Sequence, residues 1–216
     1  MSDEAEELGI FVAHGILRGV RISRSSDVLE RAAEEVRRLY DLEGLKDHPV
    51  ARAYRDFYWR IGIDPTKVRP SGEALVRRIL RGERIPSINS VVDSGNAASA
   101  LTLIPIGLYD LSRVVGKLEL RLARPGEAFQ PIGGSERKLK GGEPVLADEV
   151  GPIFLYPHRD SERTKVREET DEVLVVAAGV PGVERSDVRR ALNLALELIR
   201  ETSGGELVRI GTAPIR

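Results

Sequence analysis

The chain has 216 residues, no cysteine, three histidines and a formal net charge of −1, with 31% of its residues charged. The lack of cysteine excludes disulfides, thiolate catalysis and cysteine-based zinc sites, and the balance of charge excludes a global positive field that would gather nucleic acid non-specifically. A chain of this size hides roughly 70% of its unfolded surface, enough for one sizeable core.

Residues 1–7 are acidic where a secretory leader would be basic and then apolar, and no apolar run approaches the roughly 20 residues a bilayer crossing needs. A cytoplasmic location without membrane contact is the expectation. Residues 9–22 are rich in β-branched side chains without helical period and read as a strand or bent strand pair. His14 lies within it and reads as a packed side chain rather than a catalyst. From Ser26 the period becomes helical, with Val28, Leu29, Ala32, Ala33, Val36, Leu39 and Tyr40 at three- and four-residue steps behind a Ser-Asp start. A second helix is expected from His48 to Ile61, with Pro49 in its first turn and Tyr54, Phe57, Tyr58 and Trp59 as core candidates. After a turn over residues 63–70, residues 71–80 form a short amphipathic helix ended by Gly82. Its Arg77, Arg78, Arg81 and Arg84 make the densest positive patch in the chain, either a solvated face or an RNA-backbone contact.

Residues 88–101 predict a helix of small residues that packs closely on another layer, with Asn89, Asp93 and Asn96 toward one side. After Pro105 the chain turns to β-structure. Residues 117–123 alternate apolar and charged side chains, the pattern of a strand with one wet face. Further strands are expected near residues 128–131, 145–147, 153–156 and 173–178, the last apolar on both sides and therefore central. Glycine pairs at 133–134 and 141–142 mark turns. Ser186 or a neighbour should cap a helix running to about Glu201, and residues 207–210 should add an edge strand.

Helices and strands do not alternate strictly, which argues against a doubly wound nucleotide fold, and no Walker loop, G-x-G-x-x-G or G-x-S-x-G sequence is present. No metal or other cofactor is expected, because the three histidines are far apart. Gln130 is the only glutamine and charge is spread over many Arg and Glu, a bias of heat-adapted proteins. Three polar clusters stand beside apolar segments: residues 89–96, Tyr109 with Asp110, and residues 156–164. The third runs from an apolar strand through Tyr156 into Arg159, Asp160, Ser161 and Thr164. A guanidinium fork, a carboxylate and two hydroxyls suit a polar or zwitterionic ligand, and they equally suit a solvated loop with an internal Arg-Asp pair.

The ordered segments Pro86-Ser-Ile-Asn-Ser-Val-Val-Asp-Ser-Gly-Asn96, Gly107-Leu-Tyr-Asp110, Gly116-Lys-Leu-Glu-Leu-Arg-Leu-Ala-Arg-Pro-Gly-Glu127, Ile132-Gly-Gly and Val145-Leu-Ala-Asp148 resemble the B3/B4 domain of the phenylalanyl-tRNA synthetase β subunit. The resemblance runs with interruptions from about Ser71 to Gly179. It implies a mixed α/β (α+β) fold: a barrel-like β core surrounded by helices, a helical N-terminal half and a long C-terminal helix. On this reading one domain spans residues 1–216, with a strand and helical lead-in over 1–70, the core over 71–179, and a helix and edge strand over 180–216. In the synthetase that domain edits, hydrolysing the ester of tRNA mischarged with tyrosine. The resemblance therefore implies a free-standing hydrolase that deacylates a mischarged aminoacyl-tRNA. A non-catalytic module binding a free amino acid, a small polar ligand or a tRNA end is the alternative.

Two departures from the family pattern stand at Gly107, in place of a histidine, and Val176, in place of a glutamate that recognises substrate. The Arg159-Asp160-Ser161 segment replaces a Gly-Gly turn. The candidate catalytic residues are Asp110 and Asp160, either of which would hold the α-amino group, with backbone amides near Gly107 supporting the oxyanion. The candidate substrate-binding residues are Asn89, Asn96, Tyr109, Tyr156, Arg159, Ser161 and Thr164, in one small pocket. The partners implied are tRNA or aminoacyl-tRNA and an amino acid or similar small ligand, with no role for DNA.

Overall fold

A computed structural model describes residues 1–24 and 27–212. In chain order the elements are α1 (Asp3–Glu7), β1 (Phe11–Arg18), α2 (Val28–Leu39), α3 (Pro49–Arg60), α4 (Ser71–Leu80), α5 (Ser90–Thr102), β2 (Ile106–Asp110), β3 (Glu119–Leu122), β4 (Ala128–Phe129), β5 (Arg137–Lys138), β6 (Pro144–Ala147), β7 (Pro152–Leu155), β8 (Arg159–Asp160), β9 (Glu172–Gly179), α6 (Arg185–Ser203) and β10 (Glu206–Thr212). Short 3-10 turns cover Gly44–Asp47, Leu111–Arg113 and Glu162–Thr164.

The architecture follows from β9. Residues 173–179 are all buried, which requires cover on both faces of the strand. β9 lies inside a sheet of order β10-β1-β9-β2, and a second sheet has order β3-β6-β7-β8. Every pairing in both sheets is antiparallel. α5 and α6 cover one face of the first sheet, where glycine permits close approach: a Cβ on Gly15 would lie 2.8 Å from Leu196 Cδ1, and one on Gly95 would lie 2.6 Å from Leu108 Cδ1. The small residues of α5 thus have a steric cause. On the other face Leu120, Leu146, Ile153 and Phe154 of the second sheet share one buried cluster with Tyr109, Leu174 and Val176. Each large apolar side chain buried there contributes about 1.5–3 kcal/mol. Among the described residues the barrel-like core takes the form of two stacked open sheets rather than a closed barrel.

Two tyrosines tie the flanking elements to the sheet. Tyr54 of α3 donates to the Ala178 carbonyl, and Tyr156 donates to the carbonyls of Phe11 and Gly179 at 2.7 and 2.6 Å.

Several local expectations need correction. Trp59 leaves the aromatic cluster, being 58% exposed, because α3 turns only Tyr54, Phe57 and Tyr58 inward. Arg121 is not on a wet face: it is buried, and its guanidinium forks onto Glu127 at 2.6 and 2.9 Å. The last helix is flanked at its start by Glu184, not Ser186. The expected start of the first long helix at Ser26 lies outside the described residues.

Candidate functional site

β8 positions the chemistry. Its two residues pair with Leu155 and Phe154 of β7, and on the other side the Ile132 amide donates to the Asp160 carbonyl at 3.0 Å. Just beyond it, Asp148 takes Arg163 in a two-point ion pair at 2.7 and 2.9 Å and accepts three backbone amides, from Val115, Val150 and Gly151. Burial pushes the Asp148 carboxyl up, but these donors hold it below its ordinary value. Asp148 thereby anchors the 3-10 turn that follows β8.

Successive residues of a strand point to opposite faces. Asp160 therefore faces the first sheet, where Tyr109 donates to its Oδ1 at 2.7 Å, while Arg159 faces the other way. Desolvation raises the Asp160 carboxyl to about 6, against the opposing pull of the Tyr109 hydrogen bond. Tyr109 is fully buried, packs on Phe154, and has its phenol pushed far up by burial beside that carboxylate.

Asp160 opens into a cavity of about 960 Å3 at the β2 edge, shared with Asn89 and Asn96 of the α5 region. Ile22, Val92, Ile106, Leu108 and Ile132 supply an apolar wall, and Lys165 and Arg167 reach the rim. The Asn89 Oδ1 accepts the Val92 amide and so caps α5. Asp93 is spent inside the fold, taking the Ser87 hydroxyl and the Ile88 amide. Lys165 pairs with Glu162, whereas the Arg167 Nε is buried without a hydrogen-bond partner.

The structure thus brings Asn89, Asn96, Tyr109 and Asp160 together and distributes the other expected residues elsewhere. Asp110 does not line this cavity. Its Oδ1 accepts the Ser112 amide and hydroxyl at 3.0 and 2.6 Å, and its Oδ2 accepts the Thr170 hydroxyl at 2.8 Å. Ser161 caps the following turn by accepting the Arg163 amide, and Thr164 is wholly buried with its hydroxyl unpartnered. Tyr156 and Arg159 line a different cleft. Gly107 is buried, pairs with Val176 across β2 and β9, and lies under the Tyr109 ring, so its amide does not face the Asp160 cavity. Of the arginine patch, Arg77 turns inward to the buried Glu73 at 2.7 Å, and Arg78, Arg81 and Arg84 remain toward the surface.

Sequence reasoning stopped at Thr164 and missed Lys165 and Arg167. The signal was present in the dense charge of residues 162–172 directly after a polar cluster. No group of three or more His, Asp or Glu among the described residues is placed to hold a metal ion, and no helix among them is long and apolar enough to cross a membrane.

Residues 53–204 match the family model described as B3/4 domain. The phenylalanine–tRNA ligase β subunit of Thermobifida fusca (strain YX) is 29% identical over 144 residues, covering 67% of this chain and 17% of that protein. The same subunit of Nocardia farcinica (strain IFM 10152) is 34% identical over 117 residues, covering 54% and 14%. The chain thus spans about a sixth of the length of these relatives. A solved N-terminal fragment of the phenylalanyl-tRNA synthetase β subunit from Pyrococcus horikoshii superposes with a TM-score of 0.49 at 15% identity, covering 94% of this chain and 50% of that one.

Proposed function

Because the chain belongs to the B3/4 domain family, we propose that it hydrolyses the ester of a mischarged aminoacyl-tRNA, with the amino acid held in the cavity beside β2. The observation that carries this reading is Asp160: a carboxyl raised to about 6, hydrogen-bonded by Tyr109, in a cavity with two asparagines and an apolar wall. At neutral pH such a group is mostly ionised yet basic enough to accept a proton. It can pair with the α-ammonium of the amino acid or draw a proton from the attacking water.

In the hydrolytic step the water oxygen bonds to the ester carbon and its proton passes to Asp160. The ester bond to the ribose oxygen then breaks, and that oxygen takes the proton back. The Asn96 amide, in the lining of the same cavity, is the donor available to the developing oxyanion. Ile22, Val92, Ile106, Leu108 and Ile132 favour an apolar portion of the amino-acid side chain.

A second reading, binding without cleavage, draws on the inner face of the first sheet. There Gly107 and Val176, where the resemblance led to a histidine and a glutamate, face each other and are packed. Thermal-shift measurements with free amino acids and with non-hydrolysable aminoacyl-adenosine mimics separate the two. Stabilisation by the ester mimic alone supports editing, and stabilisation by a free amino acid with no hydrolysis of any ester removes it.

A further inference from the structure

A second cleft, of about 790 Å3, lies between the turn at residues 61–68 and the glycine-rich loops at 131–144. Arg137, Lys140, Arg159 and His158 line it, and Glu143 is its only acidic side chain among the described residues. The three long cations form no ion pair among the described residues, although exposed ion pairs recur elsewhere on the surface. Glu143 is committed to its own loop, accepting the Lys140 and Gly141 amides at 3.2 and 2.8 Å. Unpaired like charges gathered around a concavity repel one another, and an anion relieves that repulsion.

Two further observations place the cations together. Burial first, and then the charges of Arg159 and Arg137, push His158 down to about 4, so both guanidinia lie within electrostatic reach of one imidazole. His158 itself lines the same cleft. Glycines at 133, 134, 141 and 142 line the same loops as Arg137 and Lys140, and Gly133 and Gly142 have positive φ with nothing within 4 Å of an added Cβ.

We propose that this cleft is a binding site for a phosphate group, gripped by Arg137 and Arg159 with Lys140 at the rim. Arginine forks match phosphate oxygens in two-point geometry, and lysine adds a point charge. The phosphate can belong to a free phosphorylated small molecule or to the backbone of a nucleic-acid strand. The exposed Ile132 lines both this cleft and the Asp160 cavity, so a ligand with a phosphate near its reactive end can cross that rim. The site itself stands without the hydrolase reading, since Asp160 and Arg159 point to opposite faces of β8.

The test is calorimetric titration of the intact chain with inorganic pyrophosphate, and separately with an unacylated single-stranded oligoribonucleotide, at two salt concentrations. The variants are R137Q/R159Q and K140Q, all at exposed positions where folding should persist, as checked by thermal melts. The expected result is saturable pyrophosphate binding that weakens at least tenfold in R137Q/R159Q and less in K140Q. If the source is a strand, the oligonucleotide also binds, and its salt slope falls by about 0.7 for each phosphate contact removed. Pyrophosphate binding with no oligonucleotide binding supports the site and assigns it to a small ligand. No binding of either probe, or binding unchanged in R137Q/R159Q, overturns the proposal, whatever the esterase assays give.

Discussion

Tyr109 donates its phenolic hydrogen to Oδ1 of Asp160 at 2.7 Å, and it does so from a ring lying over Gly107, two residues back on the same face of β2. A Cβ on Gly107 would lie 2.8 Å from the Tyr109 Cζ and closer still to the phenol oxygen. The glycine therefore makes the space through which Tyr109 reaches the carboxylate.

Removing the phenol oxygen exposes what that contact is worth. Tyr109→Phe should lower stability by about 1.5–3 kcal/mol at pH 8, since the hydrogen bond is to a charged acceptor. The loss should shrink at pH 4.5, where Asp160 carries a proton. The bond pulls the Asp160 carboxyl down, so its titration should move above about 6 in the variant. Urea denaturation at the two pH values and carboxyl-carbon NMR titration check this. An unmoved Asp160 titration would show that the phenol does not set its acidity.

Gly107→Ala should destabilise by about 1–3 kcal/mol through overpacking against Tyr109. The double variant with Tyr109→Phe, which removes the closest atom, should cost less than the sum of the two single changes. A double-mutant cycle by chemical denaturation measures the coupling, and strict additivity would mean that Gly107 and Tyr109 do not compete for one space.

Asp160 and His158 make opposite contributions to pH stability. Between the ordinary carboxyl value of 3.8 and about 6, the folded chain keeps a proton on Asp160 that the unfolded chain has released, so stability falls as pH rises. His158, lowered from 6.5 to about 4, is neutral in the folded chain where the unfolded chain is protonated, so stability rises with pH across that interval. The two slopes offset each other in the wild type. Asp160→Asn should make stability climb from pH 4 to 6.5, and His158→Gln should make it decline from pH 4 to 6. Denaturation profiles of both variants parallel to the wild type would contradict the assignments.

Much of this fold was legible because its signals are local. The three- and four-residue steps of Val188, Ala191, Leu192, Ala195 and Ile199 mark α6, and the apolar run at 173–178 marks an interior strand. Paired charges were not legible, because their partners are set by tertiary approach. Arg121 reads as a solvent residue until Glu127 folds back on it, and Glu73 is sealed between Arg77 and Arg55, the latter 18 positions away. Asp110 and Asp160 look alike in sequence, but Asp110 is consumed by Ser112 and Thr170 while Asp160 keeps an oxygen for the cavity. Arg159 and Asp160 read as one cluster along the chain, yet strand alternation already separates neighbouring side chains.

The central claim is that Asp160 serves an aminoacyl ester, and single-turnover deacylation of a panel of cognate and mischarged aminoacyl-tRNAs tests it most directly. The wild type should hydrolyse at least one mischarged species, with a rate that rises through an apparent pKa near 6. Asp160→Asn, folded and at least as stable at pH 8, should lose at least tenfold of that rate. Equal rates for the two proteins, or no hydrolysis of any member of the panel by the wild type, would contradict the account.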